Sequence, residues 1–525
     1  MTAQSFIKGA VVLSIAGLVS KLLGALYRIP FFRVVGSEGM GLYQMAYPLY
    51  TILLAVSSAG IPVAISKLIS ESLARRDYGD VAKIIRVSML FIIVTSGLLS
   101  AALYRGAGFL ACEVLHDPRA VYGIMAISPA VFFVGILSVL RGYFQGFQEM
   151  APTAYSQVLE QFIRVITVLI GAYIFLPRGV EFAAAAATFG AVTGAATGAL
   201  FLTGLYLLRS FFIAAPASFA GFRGSGSAGV FQILYRVIVL ALPISLGGLV
   251  LPVMQTLDAL TVPVRLHLAG YSVSRAAELY GQLAGGAVTL INLPTVITIS
   301  LAAALVPEIS RLVERRNFYE VRRQIDSAVQ ITVLVCLPAS IGLAVLAAPI
   351  ANLLYKCPEA GIPLVYVAPA ALLLGLHQTT AGILQGMGKT FIPVINLALG
   401  GVVKFIVNYT LTAVPQIGII GAAAGTVCGF LMCSYMNCVF IRSLTGWKPN
   451  FTAVLIKPAV AATIMAVGVY FSYGELTIIM GSSWATLASV LLGAVIYSIV
   501  LLATGMLRQT GMPIPVIIPR LFGRR

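Results

Sequence analysis

Lys21 and Arg28 stand inside the first long apolar run of the chain, seven residues apart, with Gly24 between them. On a helix that spacing returns Arg28 to nearly the face that carries Lys21. One face then offers two cations and a position without a side chain, a combination that suits an anion such as a phosphate, held by charge with its oxygens close to the backbone. If the helix runs from about residue 11 to about residue 33, Lys21 lies about ten residues, roughly 15 Å, from either end. A lysine stem does not span that depth. A charge there costs about 2.5 to 3.5 kcal/mol on insertion scales, so such residues face a bundle interior or a watery cavity. Two plainer uses stand beside this one: Arg28 can reach the interface along its stem, and Lys21 can pair with a carboxylate on another helix.

Two more apolar runs carry polar residues at helical spacing. Gln157, Glu160, Gln161 and Arg164 line one face of the fifth run, and Asn396, Lys404 and Asn408 lie in the eleventh. The expected substrate site is a cationic cavity of Lys21, Gly24, Arg28, Arg164 and Lys404. Glu160, Gln157, Asn396, Asn408, Tyr43, Tyr47 and Asp258 are secondary candidates. Arg164 has a local alternative, an i,i+4 pair with Glu160, and Asp258 has one in Arg265. Tyr43, Tyr47 and Tyr50 share a face of the second run, where aromatic rings can receive sugars, pack, or sit at the interface.

The carrier of these residues is a membrane protein. Of 525 residues 59% are hydrophobic and 10% charged, more apolar residue than a soluble core can use. The 34 Lys and Arg against 17 Asp and Glu cluster in particular loops, so the excess speaks for topology and against nucleic acid. Gly386-Met387-Gly388-Lys389-Thr390 ends like a phosphate loop, but Ile383 replaces the first glycine and no strand precedes it. HExxH, GxSxG and Cys/His metal spacings are missing, and His116, His267 and His377 form no local cluster. Cys428, Cys433 and Cys438 share one apolar run, as small packing residues do. No catalytic residue, metal or cofactor is expected, and the chain does not read as an enzyme.

Apolar runs near the length of a span number about fourteen. The expected fold is an all-α polytopic membrane protein of about 14 transmembrane helices: two parallel six-helix repeats plus two C-terminal helices. Its parts are an N-terminal lobe (1–208), a basic cytoplasmic connector (209–236), a C-terminal lobe (237–442), and two extra helices with a basic cytoplasmic tail (443–525). The repeat shows in Ile65-Ser66-Lys67-Leu68 against Ile309-Ser310-Arg311-Leu312, and in Gly142-Tyr143-Phe144-Gln145-Gly146 against Gly382-Ile383-Leu384-Gln385-Gly386. Arg164 and Lys404 share the second pair's offset of 240 positions. An even number of spans per repeat makes the repeats parallel, with a site expected between them. Basic loops around Lys67, Arg75, Arg76, Lys83, Arg311, Arg315, Arg316, Arg322 and Arg323 put both termini in the cytoplasm. The tail ending Arg524-Arg525 would rest on anionic membrane lipids.

The segments 62–68, 140–146, 156–161 and 305–310, reading PVAISKL, LRGYFQG, SQVLEQ and LVPEIS, resemble the stage V sporulation protein B group. That group lies in the polysaccharide-transporter branch of the multidrug/oligosaccharidyl-lipid/polysaccharide (MOP) flippase superfamily, related to lipid II flippases. The resemblance implies a MATE-like fold of 12+2 helices and the carriage of lipid-linked peptidoglycan precursors across the bacterial cytoplasmic membrane in spore cortex or cell wall synthesis. Ser20-Lys21-Leu22-Leu23-Gly24 resembles the Ser-Arg-x-x-Gly setting of essential first-helix cations in those flippases, with Lys for Arg. The leading reading is alternating access for an anionic polyprenyl-diphosphate-linked saccharide. The alternatives are a cation-coupled multidrug exporter of the same fold and a non-transporting scaffold that would partner cell-wall synthesis enzymes.

Overall fold

The structure, a computed structural model, describes residues 3–58, 60–213, 229–448 and 452–503. The Gly/Ser-rich core of the expected connector and the basic tail lie outside the described residues. Among the described residues there is no strand. Among those residues eleven helices are long and apolar enough to cross a bilayer, or twelve if Pro358–Val367 and Pro369–Gly386, bent by 48°, form one span. Two of the eleven, Ile15–Ala74 and Val454–Ala503, each carry two of the expected runs and break at Gly36 (φ 70°) and Gly481 (φ 75°). Glycine adopts that left-handed φ without a Cβ penalty. The protein is a multi-pass, all-α membrane protein.

The chain forms two compact units, Met1–Gly281 and Gln282–Arg525. The first holds α1 (Ala3–Leu26), α2 (Arg28–Ser58), α3 (Ile61–Ala74), α4 (Tyr78–Phe109), α5 (Ala120–Gly146), α6 (Met150–Phe175), α7 (Val180–Ile213), α8 (Val230–Leu268) and α9 (Val273–Tyr280). Helices α6 and α7 pack side by side, as do α5 and α7, and α1 lies on α6. Ile65, Ile69, Ile85, Ile92 and Val139 form one apolar core that Val237 of α8 joins. That packing of α8 on α2 and α3 places the boundary of the unit at Gly281.

The second unit holds α10 (Val288–Asn292), α11 (Thr295–Glu314), α12 (Phe318–Val345), α13 (Ala347–Tyr355), α14 (Gly361–Val367), α15 (Pro369–Gly386), α16 (Phe391–Leu411), α17 (Ile419–Thr445) and α18 (Lys457–Ala503). Its core joins Ile309, Ile325, Ile383 and Ile441 to Trp447 and to Met465 of α18. Trp447 Nε1 donates to Asp326 Oδ1 at 2.7 Å.

The duplication is written into local geometry. Asp77 caps α4 by accepting the N–H of Asp80 (2.9 Å), and 240 positions on Asn317 caps α12 by accepting that of Glu320 (3.2 Å). The preceding residues, Arg76 (φ 60°) and Arg316 (φ 53°), are both left-handed, as are His116 and Lys356 at the same offset. A Cβ on Gly146 would lie 2.7 Å from Ile69, and one on Gly386 2.9 Å from Ile309, so both partners of each close helix crossing shift by 240. One point departs: Pro129 lies inside continuous α5, whereas Pro369 opens α15 at the 48° bend.

Candidate functional site

The polar face of α6 carries a cluster of charged side chains in the first unit. Glu160 Oε1 accepts Nη2 of Arg164 at 2.9 Å, one helical turn on, and Glu160 Oε2 accepts Nη2 of Arg141 from α5, also at 2.9 Å. Arg141 Nε donates to Ser156 Oγ at 3.2 Å. These three charged side chains are 13 to 17% exposed. Two small residues of α7 allow this arrangement. A Cβ on Gly194 would meet the Glu160 carbonyl at 2.6 Å and Arg164 Cβ at 3.1 Å, and one on Gly190 the Arg164 carbonyl at 3.1 Å.

A tyrosine stack faces these charges. Tyr43 is buried, its hydroxyl 2.9 Å from that of Tyr27, and its ring stacks on Tyr47 at 5.4 Å, which in turn meets Tyr50 at 5.8 Å. Arg164 lies within electrostatic reach of Tyr47, Tyr50 and Tyr27, and Arg28 of Tyr27, Tyr43 and Tyr47, with a hydrogen bond to Tyr27. Arg141 and Arg164 against the Glu160 carboxylate leave this cluster with one positive charge in excess, and Arg28 lies beside the same tyrosines. Such a field favours an anion carrying hydroxyl groups: arginines take the oxyanion oxygens, and tyrosines offer both ring faces and hydroxyls.

The other expected residues fall as follows. Gly24 turns to α6: a Cβ there would lie 3.4 Å from Gln161 Nε2, and one on Gly17 4.0 Å from Gln157 Oε1. Gly24 therefore seats α1 on the polar face of α6. Lys21 is exposed, and no carboxylate pairs with it among the described residues. Asp258 of α8 is half-buried beside Tyr280. In the second unit Lys404 is buried on α16, where a Cβ on Gly429 would meet its Cβ at 2.9 Å. Asn408 is buried against Gly425. Asn396 Nδ2 donates to Asn437 Oδ1 (2.8 Å), and Asn437 Nδ2 reaches Thr380 Oγ1 (3.0 Å), so Asn396 belongs to a buried inter-helix network. The second unit also holds an apolar cavity of about 440 Å³, bounded by Leu334, Pro338, Gly342, Met465, Gly493 and Tyr497; it has no charged lining.

Sequence reasoning passed over Arg141. The fourth apolar run of the sequence, about 121 to 141, ends at that residue, which makes it look like a loop charge, yet α5 continues to Gly146. The signal was the distance from Arg141 to Gly146, whose close contact with α3 requires helix there.

A polar clasp lies at the Gly36 end of α2. Arg119 binds Asp117 Oδ2 at 2.8 Å and Glu38 Oε1 at 2.5 Å. Ser274 of α9 also donates to Glu38, and Ser37 Oγ donates to Glu278 Oε1 at 3.1 Å.

The sequence profile of the polysaccharide biosynthesis protein family matches residues 6–313, and that of the MatE family residues 282–410. Stage V sporulation protein B of Bacillus subtilis (strain 168) is 30% identical over 525 residues, covering 98% of this chain and 99% of that protein. Lipid II flippase MurJ of the same organism is 28% identical, covering 88% of this chain and 87% of that protein. Among solved structures, a lipid II flippase MurJ in an inward closed conformation superposes with a TM-score of 0.67 at 15% identity, covering 93% of this chain and 98% of that one. An inward-facing MATE transporter of the MOP superfamily gives the same score at 17% identity, covering 83% and 98%.

Proposed function

The chain belongs to the polysaccharide biosynthesis protein family, and on that premise we propose that it flips an anionic polyprenyl-diphosphate-linked saccharide, a peptidoglycan precursor of the lipid II kind, from the cytoplasmic to the outer leaflet of a bacterial cytoplasmic membrane. The observation that carries this reading is the charge inside the first unit, where Arg141 and Arg164 share one glutamate and Arg164 and Arg28 lie within electrostatic reach of the same tyrosines. Cations kept within a membrane bundle cost free energy that a purely structural protein has no reason to spend. The diphosphate meets the arginines and the sugars meet the tyrosines, while the lipid chain stays in the bilayer. Lys21 and Lys404 serve as further cations for the cargo, and both termini stay cytoplasmic. No nucleotide is required: one elementary charge crossing the membrane potential exchanges about 2.3 kcal/mol per 100 mV, enough to bias the return of a cationic site.

The MatE match raises the multidrug exporter reading, and the sign of the charge argues against it, because a cationic drug would be repelled by a cluster with positive charge in excess. Purified protein in liposomes carrying a fluorescent lipid-linked precursor tests the proposal. Protein-dependent movement between leaflets supports it; a folded protein that moves an organic cation and leaves the precursor in place would overturn it.

A further inference from the structure

We infer that Glu160 is an internal counter-anion: its carboxylate holds Arg141 and Arg164 until a phosphate of the cargo displaces it. The inference rests on the anion-transport reading and concerns how that site is kept charged and then emptied.

Glu160 serves each arginine with one oxygen, 2.9 Å from a terminal guanidinium nitrogen on either side. Both pairs are therefore single-point contacts. A guanidinium has five N–H donors and binds an oxyanion best through two of them at once. Arg141 spends its Nε on Ser156. Arg164 Nε is buried and makes no hydrogen bond. A donor left unused at that depth points to a ligand that would complete the fork, and the partial exposure of all three side chains, 13 to 17%, lets one reach them.

The second unit supplies a control. Lys404 occupies the position of Arg164, with the same glycine contacts on its backbone, yet the residue one turn earlier is Gly400 where the first unit has Glu160. A cation at this point of the fold is therefore compatible with a helix that has no carboxylate four residues before it. What Glu160 adds is a local negative charge that lowers the penalty of holding two arginines inside the bundle. Tethered beside them, it also competes with the cargo, so the bound phosphate can leave.

The test uses the full chain in lipid nanodiscs and liposomes, with inorganic pyrophosphate as the probe. Glu160→Gln should bind pyrophosphate at least about tenfold more tightly, since a competing charge within hydrogen-bond distance is gone, and should translocate the lipid-linked precursor more slowly because release is retarded. Glu160→Asp, one methylene shorter and unable to span both arginines, should show the same changes in smaller degree; it retains the charge if the Gln variant does not accumulate. Unchanged or weaker pyrophosphate binding in the variants, with Arg164→Gln still abolishing it, would overturn the inference and leave the anion site standing. Pyrophosphate binding that ignores Arg164→Gln as well would overturn both.

Discussion

Arg164 and Lys404, 240 positions apart, are held in the same way: each has its backbone carbonyl near one glycine of the following helix and its Cβ near another, Gly190 and Gly194 for Arg164, Gly425 and Gly429 for Lys404. The glycines let each following helix approach the backbone and Cβ of the cation-bearing residue closely. Gly194→Val and Gly429→Val should therefore both destabilise the protein, by about 1 to 3 kcal/mol each, as overpacked contacts do. Thermal unfolding in detergent measures this; a neutral effect at either glycine would break the equivalence of the two cations.

Charge arithmetic at Glu160 leads to a non-additive result. Removing Arg164 alone leaves the carboxylate with Arg141, and removing Arg141 leaves it with Arg164. Each single change to Gln should cost little stability, whereas the double variant leaves a buried carboxylate without its cations at about 3 to 5 kcal/mol. A double variant equal to the sum of two small single effects would contradict the shared-carboxylate geometry.

The Gly36 clasp should be insensitive to pH on its arginine side. Hydrogen bonds to Asp117, and then to Glu38, hold the Arg119 guanidinium above the ordinary arginine range. A raised folded-state pKa gives stability that is present below the unfolded value and lost only as pH rises through the folded one, here beyond any working pH. The stability gap between wild type and Arg119→Gln should therefore stay flat from about pH 6 to about pH 9 as far as Arg119 titration contributes. Asp117, 2% exposed, should matter more than Glu38, 30% exposed, because exposed pairs contribute only about 0 to 1 kcal/mol. Unfolding curves of Asp117→Asn and Glu38→Gln across that range check both statements.

Lys21 is exposed and makes no ion pair among the described residues, so Lys21→Ala leaves no partner charge unmatched. The variant should reach the membrane in normal amount and lose transport, and Lys21→Arg should keep part of it because charge survives while donor geometry changes. Normal abundance with undiminished transport in Lys21→Ala would remove Lys21 from the path.

Much of this was legible in the sequence because duplication repeats both the apolar runs and the residues that punctuate them. The offset that relates Gly146 to Gly386 also relates the caps Asp77 and Asn317 and the left-handed Arg76 and Arg316. The polar face of α6 was legible from helical spacing. What spacing does not carry is the far side of a contact. Gly24 reads as an opening for a ligand until Gln161 is found 3.4 Å from its would-be Cβ, and Asn396 reads as a cavity residue until Asn437 is found across from it. Arg141 was hidden by hydropathy, since a charge at the end of an apolar run marks the end of a span more often than its interior.

The most direct measurement is the movement of a fluorescent polyprenyl-diphosphate-linked saccharide between leaflets of liposomes containing the full chain, compared with Arg164→Gln at matched protein abundance. The account predicts protein-dependent movement that falls by about tenfold or more when this charge-assisted contact is lost. Folded protein that leaves the precursor in its original leaflet, or movement that is undiminished in Arg164→Gln, would contradict it.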